Sequence, residues 1–350
     1  MKHSRLPRGY RYWRFGLFSR LYQPGIITAL LFSVLFTAAL ALISVTQGSL
    51  TVPVSSLART LLFEPVLTGG EQYVVYELRL PRIIMALFCG AMLGVAGATM
   101  QSLTRNGLAD PGLIGVKEGA CVMVLIVIFA FPALGLFWRP LAGMAGGLLA
   151  AGIVLILARD VSRPRFVLLG IGVAWTFSAG MSLFMTTADI RDVQTAMIWL
   201  AGSLQAASWP LIGVTLCWAL PAFGLLIFTT HAANAAQAGY QTAISLGVNL
   251  VRLQSMRLMA TVLLTATSVS CVGRIGFIGL IAPHMTRFLF RSGERTLLWG
   301  SAIIGSVLLL LADTLGRVLL TPLQLPAGIA ISLIGGPFFL WLLWRRRDQL

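Results

Sequence analysis

Charged side chains are scarce in this sequence. Asp, Glu, Lys and Arg make up 11% of it, less than half the ~25% of an average soluble domain. A water-facing surface needs charge to stay dispersed, so a soluble enzyme and a disordered chain are both excluded. Lysine is nearly missing: Lys2 and Lys117 are the only two, and neither precedes Ser or Thr. No Gly-x-x-x-x-Gly-Lys-[Ser/Thr] phosphate loop exists, and the chain does not hydrolyse ATP by that route. The three histidines, His3, His231 and His284, are not grouped, so no metal cluster is visible. Neither His-Glu-x-x-His nor Gly-x-Ser-x-Gly occurs, which leaves no catalytic residues to nominate. Cys89, Cys121, Cys217 and Cys271 stand singly in apolar runs. They read as small packed hydrophobes and exclude a disulfide scaffold.

Acids are also few, and of the eleven only Asp313 and Glu118 fall in or beside apolar segments. Ion-coupled carriers usually need intramembrane relays of ionisable groups, and a charged filter needs rings of them. The chain reads as a pathway whose energy comes from elsewhere. An ion-coupled secondary carrier remains the rival from another class; it would work without an ATPase partner.

What is present is apolar: 57% hydrophobic residues with a mean hydropathy of +0.88 over 350 residues. At roughly 20 residues per crossing plus connections, that length holds about eight to eleven spans. Ten segments are expected, at 26–46, 83–103, 114–133, 140–158, 166–186, 208–229, 257–273, 275–290, 297–320 and 327–344. The eighth is short, follows Gly273–Gly276 and has the length of a half-helix. The expected fold is an all-α membrane protein: a basic cytoplasmic segment 1–25, a ten-helix domain 26–344, and a basic tail 345–350. The first span has 21 uncharged residues, longer than the ~7–15 of a signal peptide. With both termini cytoplasmic, the inner segments hold 19 of the 26 Lys and Arg residues, as the positive-inside bias requires. The net charge of +15 therefore reports membrane orientation, not a nucleic-acid partner. Two ladders of small residues, Ala86/Gly90/Gly94/Ala98 and Gly143/Gly147/Ala151, let helix backbones approach closely within lipid.

Two connections stand out. The inner one, 230–256, is alanine-rich, too polar to span, and broken by Gly239 and Gly247. Two short helices there either offer a knob to a partner or serve as a plain amphipathic connector. The outer one, 47–82, ends in Arg79-Leu-Pro-Arg82, and Arg317 falls on the same side. Outer arginines defy the inside bias. They suit an acidic partner or an anionic ligand, or they pair locally, Asp313 with Arg317 and Glu77 with Arg82.

Several stretches together resemble the FecCD family of permease subunits. They are Arg79-Leu-Pro-Arg82-Ile, the Gly90–Gln101 run Gly-Ala-Met-Leu-Gly-Val-Ala-Gly-Ala-Thr-Met-Gln, Arg105-Asn-Gly-Leu-Ala-Asp-Pro-Gly, Ala243-Ile-Ser-Leu-Gly-Val248, Gly276-Phe-Ile-Gly-Leu-Ile-Ala-Pro-His284, Leu311-Ala-Asp313, Leu325-Pro-Ala-Gly328 and Gly335-Gly-Pro-Phe-Phe-Leu-Trp341. The resemblance implies a type II ABC importer permease for iron–siderophore complexes, haem or cobalamin, in the bacterial inner membrane. It implies these partners: a second permease, the same chain or a similar sister; two cytoplasmic ATPases; a periplasmic binding protein; and the bilayer. No cofactor is expected on this chain, with ATP-Mg held by the ATPase. The resemblance further assigns Gln237, Gly239, Thr242, Ala243, Ser245, Leu246 and Gly247 to ATPase coupling and Arg79, Arg82 and Arg317 to binding-protein docking. It makes Gly170, Gly172 and Ser178 candidate pathway-lining residues. Three departures accompany it. Gly239-Tyr-Gln-Thr-Ala243 lacks the family's acids, Asn106-Gly107-Leu108 replaces Asn-Pro-Leu and should loosen that turn, and Arg274 stands where the family prefers a small or neutral residue.

Overall fold

The computed structural model describes residues 11–15, 18–22, 24–48, 50–61, 69–131, 133–134, 138–158, 164–290, 293–319 and 323–345. The first ten residues, the inner segment 159–163 and the tail 346–350 lie outside the described residues.

A short antiparallel hairpin, β1 (Arg11–Phe15) and β2 (Phe18–Tyr22), precedes the helices. Then follow α1 (Pro24–Thr46), the amphipathic α2 (Val54–Leu61), α3 (Gly69–Tyr73), α4 (Leu80–Thr104) and α5 (Val116–Ala130). The middle of the chain holds α6 (Trp138–Ala158), α7 (Pro164–Thr187), α8 (Ile190–Leu200) and α9 (Trp209–Phe228). The last third holds α10 (Thr230–Gln237), α11 (Tyr240–Ser245), α12 (Leu250–Val272), α13 (Ile278–Leu289), α14 (Glu294–Val318) and α15 (Ala327–Arg345). Among the described residues eight helices are long and apolar enough to cross a membrane. The other two expected segments fall on shorter helices, α5 and α13, of 15 and 12 residues.

Two boundaries and one turn differ from expectation. The second span begins at Gly69 rather than 83, because α3 and α4 form one helix joined by a π-helical turn, Val74–Arg79. Pro81 has no N–H for the helical ladder, and the backbone widens to π geometry immediately before it. The seventh begins at Leu250 rather than 257: the Asn249 side chain caps it, accepting from the Arg252 N–H at 3.0 Å. Arg257 made that stretch look like a loop, but its charge is neutralised inside the fold. The turn at Asn106-Gly107-Leu108 is pinned rather than loose. Asn106 Oδ1 accepts from the Leu108 N–H at 2.9 Å, and the Gly107 carbonyl meets His284 Nε2 at 2.7 Å.

Small residues set the packing. A Cβ on Gly90 would strike the Gly305 carbonyl, one on Gly94 the Ser301 carbonyl, and one on Gly97 the Gly279 carbonyl. The first ladder thus seats α4 against α14 and α13. The second seats α6 against α12, where Gly143 meets Ser270 and Gly147 meets Ala266. Helices α4 and α12 form the centre, each 78% buried along its apolar window. By contrast α1 and α7 are only 17% and 22% buried, so their outer faces are left for lipid or a partner.

Gly90→Leu or Gly305→Leu should separate α4 from α14 and lower the detergent melting temperature by several degrees, as overpacking costs about 1–3 kcal/mol. Gly152→Ala, where a Cβ meets nothing within 4 Å, should leave it unchanged. Melting followed by fluorescence-detected gel filtration distinguishes the two.

Candidate functional site

Helix α14 has 25 residues, about 37 Å at 1.5 Å per residue, and each of its ends carries a polar cluster. At its first residue, Glu294 is fully buried and binds three residues of two helices at once. Oε2 pairs with Arg257 Nη2 of α12 at 2.9 Å. Oε1 accepts from Gln237 Nε2 of α10. The Glu294 N–H donates to Asn234 Oδ1, also on α10, at 3.0 Å. Arg105, at the end of α4, donates to the Ala236 carbonyl at 3.1 Å. Helix α10 is thereby fastened to α4, α12 and α14.

Beyond it the chain reverses at Gly239, whose φ of 125° favours glycine, and enters α11. Among the described side chains of that turn only Ala243 is buried; Gln241, Thr242, Ser245 and Gly247 are exposed. Ile244 and Leu246 are 51% and 66% exposed. The expected coupling residues therefore divide. Gln237 faces back to Glu294, Gly239 and Gly247 shape the turns, Ala243 packs inward, and Thr242, Ser245 and Leu246 form the outer surface. The signal for the anchoring side, Glu294, was not in any motif.

The opposite end gathers the predicted arginines, though not as an open surface. Arg82 grips Asp313, with Nη2–Oδ1 at 2.8 Å and Nε–Oδ2 at 2.9 Å, and donates to Gln324 at 3.1 Å. Spacing anticipated Glu77 for Arg82; the partner observed is Asp313, on the facing helix. Arg79 is buried and donates to the Val45 and Leu50 carbonyls. Arg317, also buried, donates to the Ser44 carbonyl and to Ser44 Oγ at 2.7 Å. Ser44 and Val45 lie in the last turn of α1, so the two arginines cap unsatisfied carbonyls where the helix dipole is negative. Arg82 alone retains partial exposure, 11% of its side chain.

The three candidate pathway residues on α7 also separate. Gly170 is buried against Leu113 and Ile114, Gly172 is open, and Ser178 lines a cleft of about 530 Å³ that also holds Arg274. A second cleft, about 640 Å³, opens between α5, α7 and α8. Among the described residues there is no cluster of three His, Cys, Asp or Glu side chains that could hold a metal.

A bundle of long apolar helices with a helical knob fastened beneath it and clefts along a sparsely covered helix is the architecture of an ABC importer permease. A solved structure described as an inward-facing metal-chelate type ABC transporter superposes with a TM-score of 0.81 at 27% identity, covering 91% of this chain and 99% of that one. The chain belongs to the FecCD transport family, whose model matches residues 25–345. Its relatives include the iron(3+)-hydroxamate import permease FhuG of Bacillus subtilis, 40% identical over 79% of this chain and 85% of that one. The hemin permease HmuU of Yersinia pestis is 35% identical over 91% and 96%, and the vitamin B12 permease BtuC of Vibrio cholerae 36% over 80% and 85%. The protein is accordingly a multi-pass inner-membrane permease subunit.

Removing one member of a buried ion pair leaves the other charge uncompensated, at a cost of about 3–5 kcal/mol. Glu294→Ala should therefore destabilise strongly. Glu294→Ala with Arg257→Met should recover much of the loss, as a double-mutant cycle of melting temperatures in detergent would register.

Proposed function

We propose that this chain forms the translocation pathway of an ATP-driven importer for a ferric siderophore. A periplasmic binding protein delivers the chelate, a second permease completes the pathway, and two cytoplasmic ATPases holding ATP-Mg power it. The knob at Ile244 and Leu246 carries this reading. Two exposed apolar side chains on a short helix, keyed by Gly239 and fastened behind by Glu294, suit docking of a helix into a groove. The lack of acids in α11 fits an apolar contact rather than a charged one. Closure of the ATPases on ATP moves the knob, and the movement passes through α10 into α14 and α12 as a rigid-body rocking of the bundle. The likeness to an iron(3+)-hydroxamate permease, at 40% identity, favours the siderophore. Haem or cobalamin is the second reading, favoured by relatives at 35% and 36%.

At the other end, the binding protein seats over α4 and α14, with Arg82 placed to meet an acidic side chain. Arg79 and Arg317 hold the end of α1 beneath that surface. Proteoliposomes with the cognate ATPase and binding protein should show ATP-dependent uptake of a ferric siderophore in preference to haemin or cobalamin. Uptake driven by a proton or sodium gradient without ATPase would replace this reading with a secondary carrier.

Ile244→Asp with Leu246→Asp should cut uptake more than tenfold while the permease stays folded by gel filtration; normal uptake would sink the coupling role. Arg82→Glu combined with Asp313→Arg keeps the internal pair by exchange. It should restore the melting temperature lost in Arg82→Glu yet still weaken binding-protein capture about tenfold, and unchanged capture would remove Arg82 from the docking surface.

A further inference from the structure

The break between α12 and α13 places one arginine in the α7 cleft. The segment's backbone is wedged in place. The Val272 carbonyl accepts from the Ser203 N–H at 2.8 Å, and the Arg274 carbonyl lies against Gly202 and Gly328. With its backbone covered, the exposure of Arg274 belongs to its side chain. That side chain lines the cleft opposite Ser178, Ser182 and Thr186, which stand four residues apart on one face of α7, with Met181 and Met185 beside them. Arg274 is the one charged residue among those that line it. Among the described residues it makes no ion pair or hydrogen bond. Glu118 of α5 feels its charge without forming a salt bridge to it.

A guanidinium at the end of a membrane helix is costly against lipid, and such groups persist where they face water or a ligand. The cleft, at about 530 Å³, lies within the roughly 300–1,000 Å³ of small-molecule sites. Its chemistry is specific. The guanidinium offers a planar fork of donors that matches a carboxylate in two parallel hydrogen bonds. The hydroxyls of Ser182 and Thr186 donate to the carbonyls of Ser178 and Leu183, which leaves their oxygens as acceptors for O–H or N–H groups. The methionines supply an adaptable apolar wall.

We propose that this cleft is a binding site for an anionic, carboxylate-bearing iron chelate, and that Arg274 selects it over neutral or cationic ones. The proposal rests on the chelate-import reading and names the charge class of its cargo. The test uses the full chain in lipid nanodiscs, without ATPase or binding protein. Equilibrium dialysis would follow radio-iron in two probes, ferric citrate as the anion and ferrioxamine B as the cation. The wild type should bind ferric citrate at least tenfold more tightly. Arg274→Ala should weaken ferric citrate about tenfold and leave ferrioxamine B within twofold; Arg274→Lys should fall between, and Arg274→Glu should reverse the preference. Ser182→Leu, which narrows the cleft without changing charge, should weaken ferric citrate in a protein of unchanged melting temperature. No preference in the wild type, or an equal loss of both probes in Arg274→Ala, overturns the proposal. Because no partner is present, that outcome leaves the import reading standing. Selective binding together with absent ATP-dependent uptake would instead remove the import reading and keep the site.

Discussion

The contact of α4 with α14 is the constraint on which the rest depends. Gly90 meets Gly305 and Gly94 meets the Ser301 carbonyl, so the two backbones touch without side chains between them. Lipid gives helices no hydrophobic reason to associate, and close van der Waals contact must supply it. The seam is stiff for the same reason, since a joint with no side chains has no rotamers to relax. Both polar clusters hang from it. Glu294 binds α10 at one end of α14, and Asp313 binds Arg82 of α4 near the other.

Each cluster exists because an uncompensated charge in a membrane protein's interior is expensive. Arg257 is tolerated in α12 because Glu294 meets it, and Glu294 is tolerated because Arg257 and Gln237 satisfy both its oxygens. Such a network is weak as a source of stability but strong as a specification of geometry. It allows few positions for α10 relative to α14. At the far end, Arg79 and Arg317 fix α1, a helix only 17% buried along its apolar window, by capping its last carbonyls.

Membrane class, approximate helix positions and both small-residue ladders were legible because each is a local property. Apolar runs of spanning length and glycines four apart report themselves to any reader of the chain. The α10–α11 pair was legible too, since a polar alanine-rich stretch split by Gly239 has few other ways to fold. The start of α12 was not, because Arg257 looks like a loop residue until its partner 37 positions away is known. The partners of the outer arginines were not legible for the same reason. Their position against the charge bias left docking and local pairing both open, and only the fold shows Arg79 and Arg317 at backbone carbonyls of distant residues and Arg82 crossing to Asp313.

The sequence by itself therefore determined the solvent this protein lives in, its helical periodicity and the family to which it bears resemblance. Those follow from hydropathy and spacing along the chain. Tertiary structure alone decided which charges are neutralised, which arginine stays available, and that Arg274 faces a cleft with three hydroxyls. Ion pairs and cavities join residues far apart in sequence, and their energies depend on burial, which no local pattern records.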